Sequence, residues 1–217
     1  MKDKIFLTML VALIGLTATA LGEDMEPQGD AERACINASE VELSQEMRML
    51  WEDHIVWTRM FIISVAENLN DTNVTTQRLL QNYDDMEESF LTFYGDEVSE
   101  EYGELLEDHL LIAAAFVKAA KAGNSTAAAD AEERWYENAD EIATFMNTTN
   151  PHWGLDEAMM MWRSHLDLTK QEAVARLTGN YTADVEAYDM VHEQAMKMAD
   201  MTAEGIVEQF PERFAGR

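Results

Sequence analysis

The sequence predicts an all-α fold, a six-helix up-down bundle made of three repeated helical hairpins with a period of about 55 residues. Three observations carry this. Apolar residues recur three and four positions apart over long stretches, the spacing of amphipathic helices. Only 3 prolines occur in 217 residues, and no alternating β-branched runs point to strands. The stretches WEDHIVWTRMFIISVAENLNDTN, LEDHLLIAAAFVKAAKAGNST and WRSHLDLTKQEAVARLTGNYT each begin near a His and end at an Asn-x-Ser/Thr tip, so one supersecondary unit is used three times. His54, His109 and His165 are 55 and 56 apart, and Asn82, Asn138 and His192 are 56 and 54 apart.

The elements follow in chain order. Residues 1–20 read as a signal peptide: a charged start at Lys2-Asp3-Lys4, an apolar run from Ile5 to Leu16, and the small-x-small site Ala18-Thr19-Ala20. Retention of this segment as an N-terminal anchor is the alternative, because its apolar stretch approaches the length needed to span a bilayer. Residues 21–40, with Gly, Pro and mixed charge, read as a loose acidic leader. The bundle then occupies 41–217, with hairpins at 41–95, 96–150 and 151–212.

In the first hairpin the outgoing stripe is Leu43, Met47, Leu50, His54, Trp57, Phe61 and Val65, and the return stripe is Leu79, Asn82, Met86 and Phe90. The second gives Tyr102, Leu105, His109, Ile112, Phe116 and Ala120, then Ala131, Trp135, Asn138, Ile142 and Phe145. The third gives Leu155, Ala158, Trp162, His165, Thr169 and Ala173, then Val185, Tyr188, His192, Ala195, Ala199 and Ile206. Gly123 and Gly179 mark helix stops. Segments Asp96 to Glu100 and Thr148 to Gly154 are expected to connect the hairpins.

Composition narrows the function. With 15 Lys+Arg against 42 Asp+Glu the formal net charge is -27, which opposes binding to nucleic acid or to an anionic membrane face and favours cations or envelope components as partners. No stretch after the signal segment is apolar enough to cross a membrane. The single cysteine, Cys35, excludes an internal disulfide and a Cys-based zinc site; it is a free thiol or the link of a crosslinked dimer. Asn37, Asn70, Asn73, Asn124, Asn147 and Asn180 are six glycosylation sequons, where about one is expected by chance. They fit an exported, envelope or extracellular protein. Helix capping is the other reading of Asn70, Asn124 and Asn180.

Polar side chains on the apolar stripes are where chemistry would sit. Four of the 5 histidines fall there, and the functional reading is that they converge in the interior on a transition metal (Fe, Cu or Zn) or a non-covalent haem. The metal candidates are His165 and His192 first, with His54, His109, Asp189 and Glu172; Asn82, Asn138, Asp85 and Glu141 stand as supporting groups. The structural reading is a set of hydrogen-bonded pairs, His54 with Asn82, His109 with Asn138 and His165 with His192, in a dry core. The chain has 15 methionines, with Met159, Met160, Met161, Met190, Met196, Met198 and Met201 clustered late, and these suit Cu(I) or simply fill the core. No catalytic motif occurs: there is no nucleotide-binding glycine loop, no Gly-x-Ser-x-Gly and no His-Glu-x-x-His.

The blocks LWEDHIVWTR, RWYENADEIATF, GNYTADVEAYD and IVEQFPERF resemble a family of exported, uncharacterised all-helical proteins of bacteria and archaea, over about residues 44–214. The resemblance implies export and a helical fold. It adds no catalytic residue.

Overall fold

The computed structural model describes residues 38–215, and these are all helix or short connection, with no strand among the described residues. The signal segment 1–20, the leader up to residue 37, Cys35 and the sequon at Asn37 lie outside the described residues. Six long helices run α1 (Ala38–Glu67), α2 (Thr72–Tyr94), α3 (Asp96–Lys121), α4 (Ser125–Thr149), α5 (Leu155–Leu177) and α6 (Tyr181–Gln209), followed by the short α7 (Pro211–Phe214).

Two helix tips show how sequence sets the turns. At the end of α3, Gly123 has φ +69° and donates to Ala120 O, while Asn124 N–H reaches Ala119 O. The end of α5 repeats this with Gly179 at φ +75°, its N–H on Arg176 O and Asn180 N–H on Ala175 O. This is the Schellman closure, which places a glycine in the left-handed region. The next residue starts the following helix: Asn124 Oδ1 accepts from Ala127 N–H at 3.2 Å and Asn180 Oδ1 from Ala183 N–H at 3.3 Å. A Gly-Asn pair is therefore both stop and start.

The expected connector at Asp96 to Glu100 is not a loop. Gly95 alone breaks the chain between α2 and α3, and Asp96 and Glu97 already form the first turn of α3, where their negative charge suits the helix N-terminus. Likewise α1 begins at Ala38, inside the stretch read as leader.

Each long helix packs on the next in sequence, and α6 returns to pack on α1, so the six close into a ring. Helices α1, α3 and α5 also touch one another and line the centre. The core runs the length of this interior, from Phe61, Ile62, Phe116 and Val117 at one end to Phe90, Tyr102, Phe145 and Trp153 at the other. At the latter end Trp153, in the connection between α4 and α5, is fully buried and its indole N–H donates to Met201 O at 3.2 Å. Its ring lies over Gly205 of α6, where a Cβ would collide with it. Beside it Asn150 Nδ2 donates to Gly205 O at 2.8 Å and to Tyr94 Oη at 3.1 Å.

The expected stripes of α1 to α5 largely face the core, with Leu155 on the surface. In α6 Ala195, Ala199 and Ile206 are buried as expected, but the first half of the stripe is rotated: Val185 is exposed, and the buried face there is Asp184, Ala187, Val191 and Gln194. One residue around a helix is about 100°, so such a shift changes which polar group enters the core. No helix among the described residues is long and apolar enough to cross a membrane.

Candidate metal centre

Half-way along the ring, α1, α3 and α5 each turn one imidazole inward: His54, His109 and His165, 6%, 1% and 1% exposed. The flanking helices α2, α4 and α6 each supply one amide. His54 Nδ1 meets Asn82 Oδ1 at 3.1 Å, His109 Nδ1 meets Asn138 Oδ1 at 2.9 Å, and His165 Nδ1 meets Gln194 Oε1 at 3.0 Å. The amide nitrogens donate to backbone carbonyls: Asn82 to Leu50, Asn138 to Leu105 and Gln194 to Met161, at 3.0, 3.0 and 2.9 Å. In each case the carbonyl belongs to the residue four before the histidine, the one whose carbonyl lies beneath that side chain.

This arrangement fixes the protons. A backbone carbonyl only accepts, so each amide must aim its NH2 at the carbonyl and its oxygen at the imidazole. The oxygen in turn needs a donor, which makes Nδ1 the protonated nitrogen of each neutral ring. The lone pair then sits on Nε2, facing the interior. Burial keeps the rings neutral: with the nearby imidazoles it pushes His54 well below its ordinary value, and His109 falls to about 3 for the same causes. Burial takes His165 down to about 4 against the opposing bond to Gln194.

The three Nε2 atoms have different fates. His109 Nε2 accepts the indole N–H of Trp135 at 3.1 Å. His54 Nε2 and His165 Nε2 face each other at 3.3 Å, and with Nδ1 donating to an amide oxygen in both neutral rings, each Nε2 is left with a lone pair. Indoles wall the pair in. Trp51 lies edge-on to both rings at 5.5 and 5.7 Å and is 5.6 Å from Trp162, which itself meets His109 edge-on at 5.3 Å. Two acceptors in contact are costly at a buried site, since each has given up its hydrogen bond to bulk water.

With metal–imidazole bonds of about 2.05 Å, a 3.3 Å separation of the two nitrogens corresponds to an N–metal–N angle of about 107°. A haem between them does not fit, because two axial bonds across its iron need about 4 Å. Among the described residues no group of three or more His, Cys, Asp or Glu stands close enough to hold a metal, so the centre as it stands is an imidazole pair.

The other expected ligands are elsewhere. His192 is at the surface, 42% exposed, with Nε2 2.8 Å from Glu52. The expected pair of His165 with His192 is not formed, because the α6 face that reaches the core presents Gln194 instead. Asp189, Asp85 and Glu141 are exposed. Glu172 is buried but turned to Arg59 at 2.6 Å, in a network where Arg59 also holds Asp184 at 2.9 Å and Arg176 joins Asp184 to Glu67. Burial raises the Glu172 carboxyl to about 7 in spite of Arg59. Of the late methionines, Met198 is buried while Met160 and Met190 are exposed.

Two groups of the centre are not foreseen from the sequence. Gln194 has a signal, since Asn82, Asn138 and Gln194 are 56 apart at both steps. Trp135 has none as a donor, because a tryptophan on an apolar stripe reads only as core. Of the sequons, Asn70, Asn73, Asn124 and Asn180 are exposed near the helix tips, whereas the half-buried Asn147 donates to Trp153 O at 2.8 Å. Comparison of the chain with family models, curated proteins and solved structures finds no match to any of the three.

Proposed function

We propose that this is an exported helical-bundle protein that binds a transition-metal ion of the copper–zinc type between His54 and His165. The observation that carries it is the pair of buried Nε2 atoms 3.3 Å apart, which the amide bonds to Nδ1 leave without hydrogens when both rings are neutral. A cation between them would turn two opposed lone pairs into two bonds. The amides on Nδ1 add support, since metal-binding imidazoles are held by a hydrogen bond from their other nitrogen. Imidazole suits copper and zinc, and among the described residues no carboxylate is hydrogen-bonded to either ring.

The finer architecture proposed with it is an up-down bundle of three repeated hairpins. Its support is the recurrence of His on α1, α3 and α5 and of an amide on α2, α4 and α6. Export is supported by the apolar run Ile5 to Leu16 with its Ala18-Thr19-Ala20 site, and glycosylation by the exposed Asn70, Asn73, Asn124 and Asn180.

The test is a titration of chelator-stripped protein with Zn(II) and, anaerobically, with Cu(I), read by elemental analysis after desalting. One equivalent is expected, lost in His54→Leu and in His165→Leu and kept in His192→Ala. No retained metal in the wild type would overturn the reading.

A second reading, a non-catalytic envelope or interaction protein whose polar layer only fixes helix register, is favoured by the complete pairing of the three amides. On that reading the double change His54→Leu with His165→Leu removes both opposed lone pairs but leaves Asn82 Oδ1 and Gln194 Oε1 without their donors, a cost of about 1–3 kcal/mol for each, with no metal to lose.

A further inference from the structure

The three interior imidazoles form an isosceles triangle. Ring centroids are 5.4 Å apart for His54 and His165, and 6.5 Å from His109 to each of them. His109 therefore lies on the bisector of the pair, where a third ligand belongs. Rings bound to one ion through Nε2 at a near-tetrahedral angle have centroids about 5.2 Å apart, taking bonds of about 2.05 Å. His54 and His165 already stand close to that spacing, and His109 is about 1.3 Å outside it.

A single donor keeps His109 outside. Its Nε2 accepts the indole N–H of Trp135 at 3.1 Å, and Trp135, 2% exposed, is stacked on Phe116 with ring centroids 6.0 Å apart. Trp135 lies three residues before Asn138 on α4. The residues three before the other two amides are Leu79 and Val191, which have no side-chain donor. Of three closely similar positions, one carries an N–H aimed at an imidazole lone pair. That is why two nitrogens are left facing each other and the third is not.

We propose that His109 is a third ligand of the same metal centre and that Trp135 gates it, holding His109 Nε2 in the metal-free protein and giving it up when the ion binds. This rests on the metal reading of the His54–His165 pair. An angle of about 107° between two ligands leaves the remaining corners of a tetrahedron open, so the pair alone does not complete a coordination shell. A closed gate leaves two neutral ligands, and an open one makes the three-imidazole set that zinc takes in catalytic sites, with one corner free. Trp135 thus sets coordination number and, through it, which ion is held.

The experiment uses the full-length protein, stripped of metal, with Zn(II) and Co(II) as probes. Affinity is measured by chelator competition for wild type, Trp135→Phe and His109→Phe, and the indole N–H resonances of the 15N-labelled wild type are followed during the titration. Expected are a shift of the Trp135 indole proton saturating at one equivalent, a Zn(II) affinity about three- to tenfold tighter in Trp135→Phe because no donor has to be displaced, and at least tenfold weaker in His109→Phe. Co(II) should give the intense visible bands of a tetrahedral site in Trp135→Phe.

Metal binding at one equivalent with the Trp135 resonance unmoved, and with His109→Phe within twofold of wild type, would overturn the gate while leaving the two-imidazole centre intact. No binding by wild type or by Trp135→Phe would remove both. The resonance is read on the unaltered protein, so the outcome does not depend on either variant folding.

Discussion

Gln194 and His192 are two positions apart on α6, and only one of them enters the core. Gln194 ties His165 Nδ1 to Met161 O, so Gln194→Met leaves the buried His165 Nδ1–H without an acceptor and is expected to cost about 1–3 kcal/mol. His192→Ala removes a half-exposed contact to Glu52 and should cost less than about 1 kcal/mol. Urea denaturation of the two variants checks this, and the reverse order would mean that the α6 face is misassigned. The residues of the layer are legible as far as helical spacing reaches: His54, His109, His165, Asn82 and Asn138 are all buried where their stripes put them. His192 draws the sequence reading because imidazole is the better ligand and its distance from Asn138 is near the period. Gln194 stands at the 56-residue spacing that also separates Asn82 from Asn138, but a glutamine is a poorer ligand than an imidazole, so that spacing is passed over in favour of His192 two residues before it.

Element-scale reading succeeds where local chemistry is self-contained. The Gly-Asn tips at 123–124 and 179–180 carry their own closure and capping, so nothing distant has to be known to place them. It fails where a distant contact decides. Gly205 looks like a weak point in α6, since glycine is poorer than alanine in a helix by about 1 kcal/mol. Its place is set by Trp153, more than fifty residues earlier, whose indole occupies the space a side chain would need. Gly205→Ala is therefore expected to destabilise by about 1–3 kcal/mol despite its better helix propensity, by thermal or chemical unfolding. A stabilised variant would show that the Trp153 indole moves aside at little cost. The Gly95 junction fails for a related reason: a run of acidic residues reads as solvated loop or first helical turn alike, and the packing of α3 on α2 selects the turn.

At the scale of the whole molecule the buried layer governs the response to acid. The folded histidines hold pKa values below 6.5, at about 3 for His109 and about 4 for His165, so between pH 6.5 and 4 the unfolded chain binds more protons than the folded one. Their contribution is complete above pH 6.5 and is lost as pH falls. Glu172 acts in the opposite sense. Its carboxyl is raised from 4.5 to about 7, so the fold gains from its protonation as pH drops through that range. Three groups outweigh one, and Tm in the presence of chelator should fall by about 5 °C or more from pH 6.5 to 4.5. Glu172→Gln, which removes the opposing contribution, should make that fall steeper. Calorimetry across the range checks both, and a flat wild-type profile would contradict neutral burial of the layer. The whole-molecule arrangement is the least legible level. Helical periodicity says that a stripe is buried but not which neighbour buries it, and the closure of α6 on α1 and the inner position of α1, α3 and α5 depend on contacts between residues far apart in sequence.

That closure has a consequence for biosynthesis. His54 and His165 are 111 residues apart, and α6, which supplies Gln194 and packs on α1, follows both of them in the chain. At about 5–20 residues per second, His54 waits roughly 5–20 s after its own translation before its partner exists. A nascent chain halted before α5 holds one lone histidine of the pair, so the two-imidazole site proposed above cannot form piecemeal; it exists only after α5 has been made.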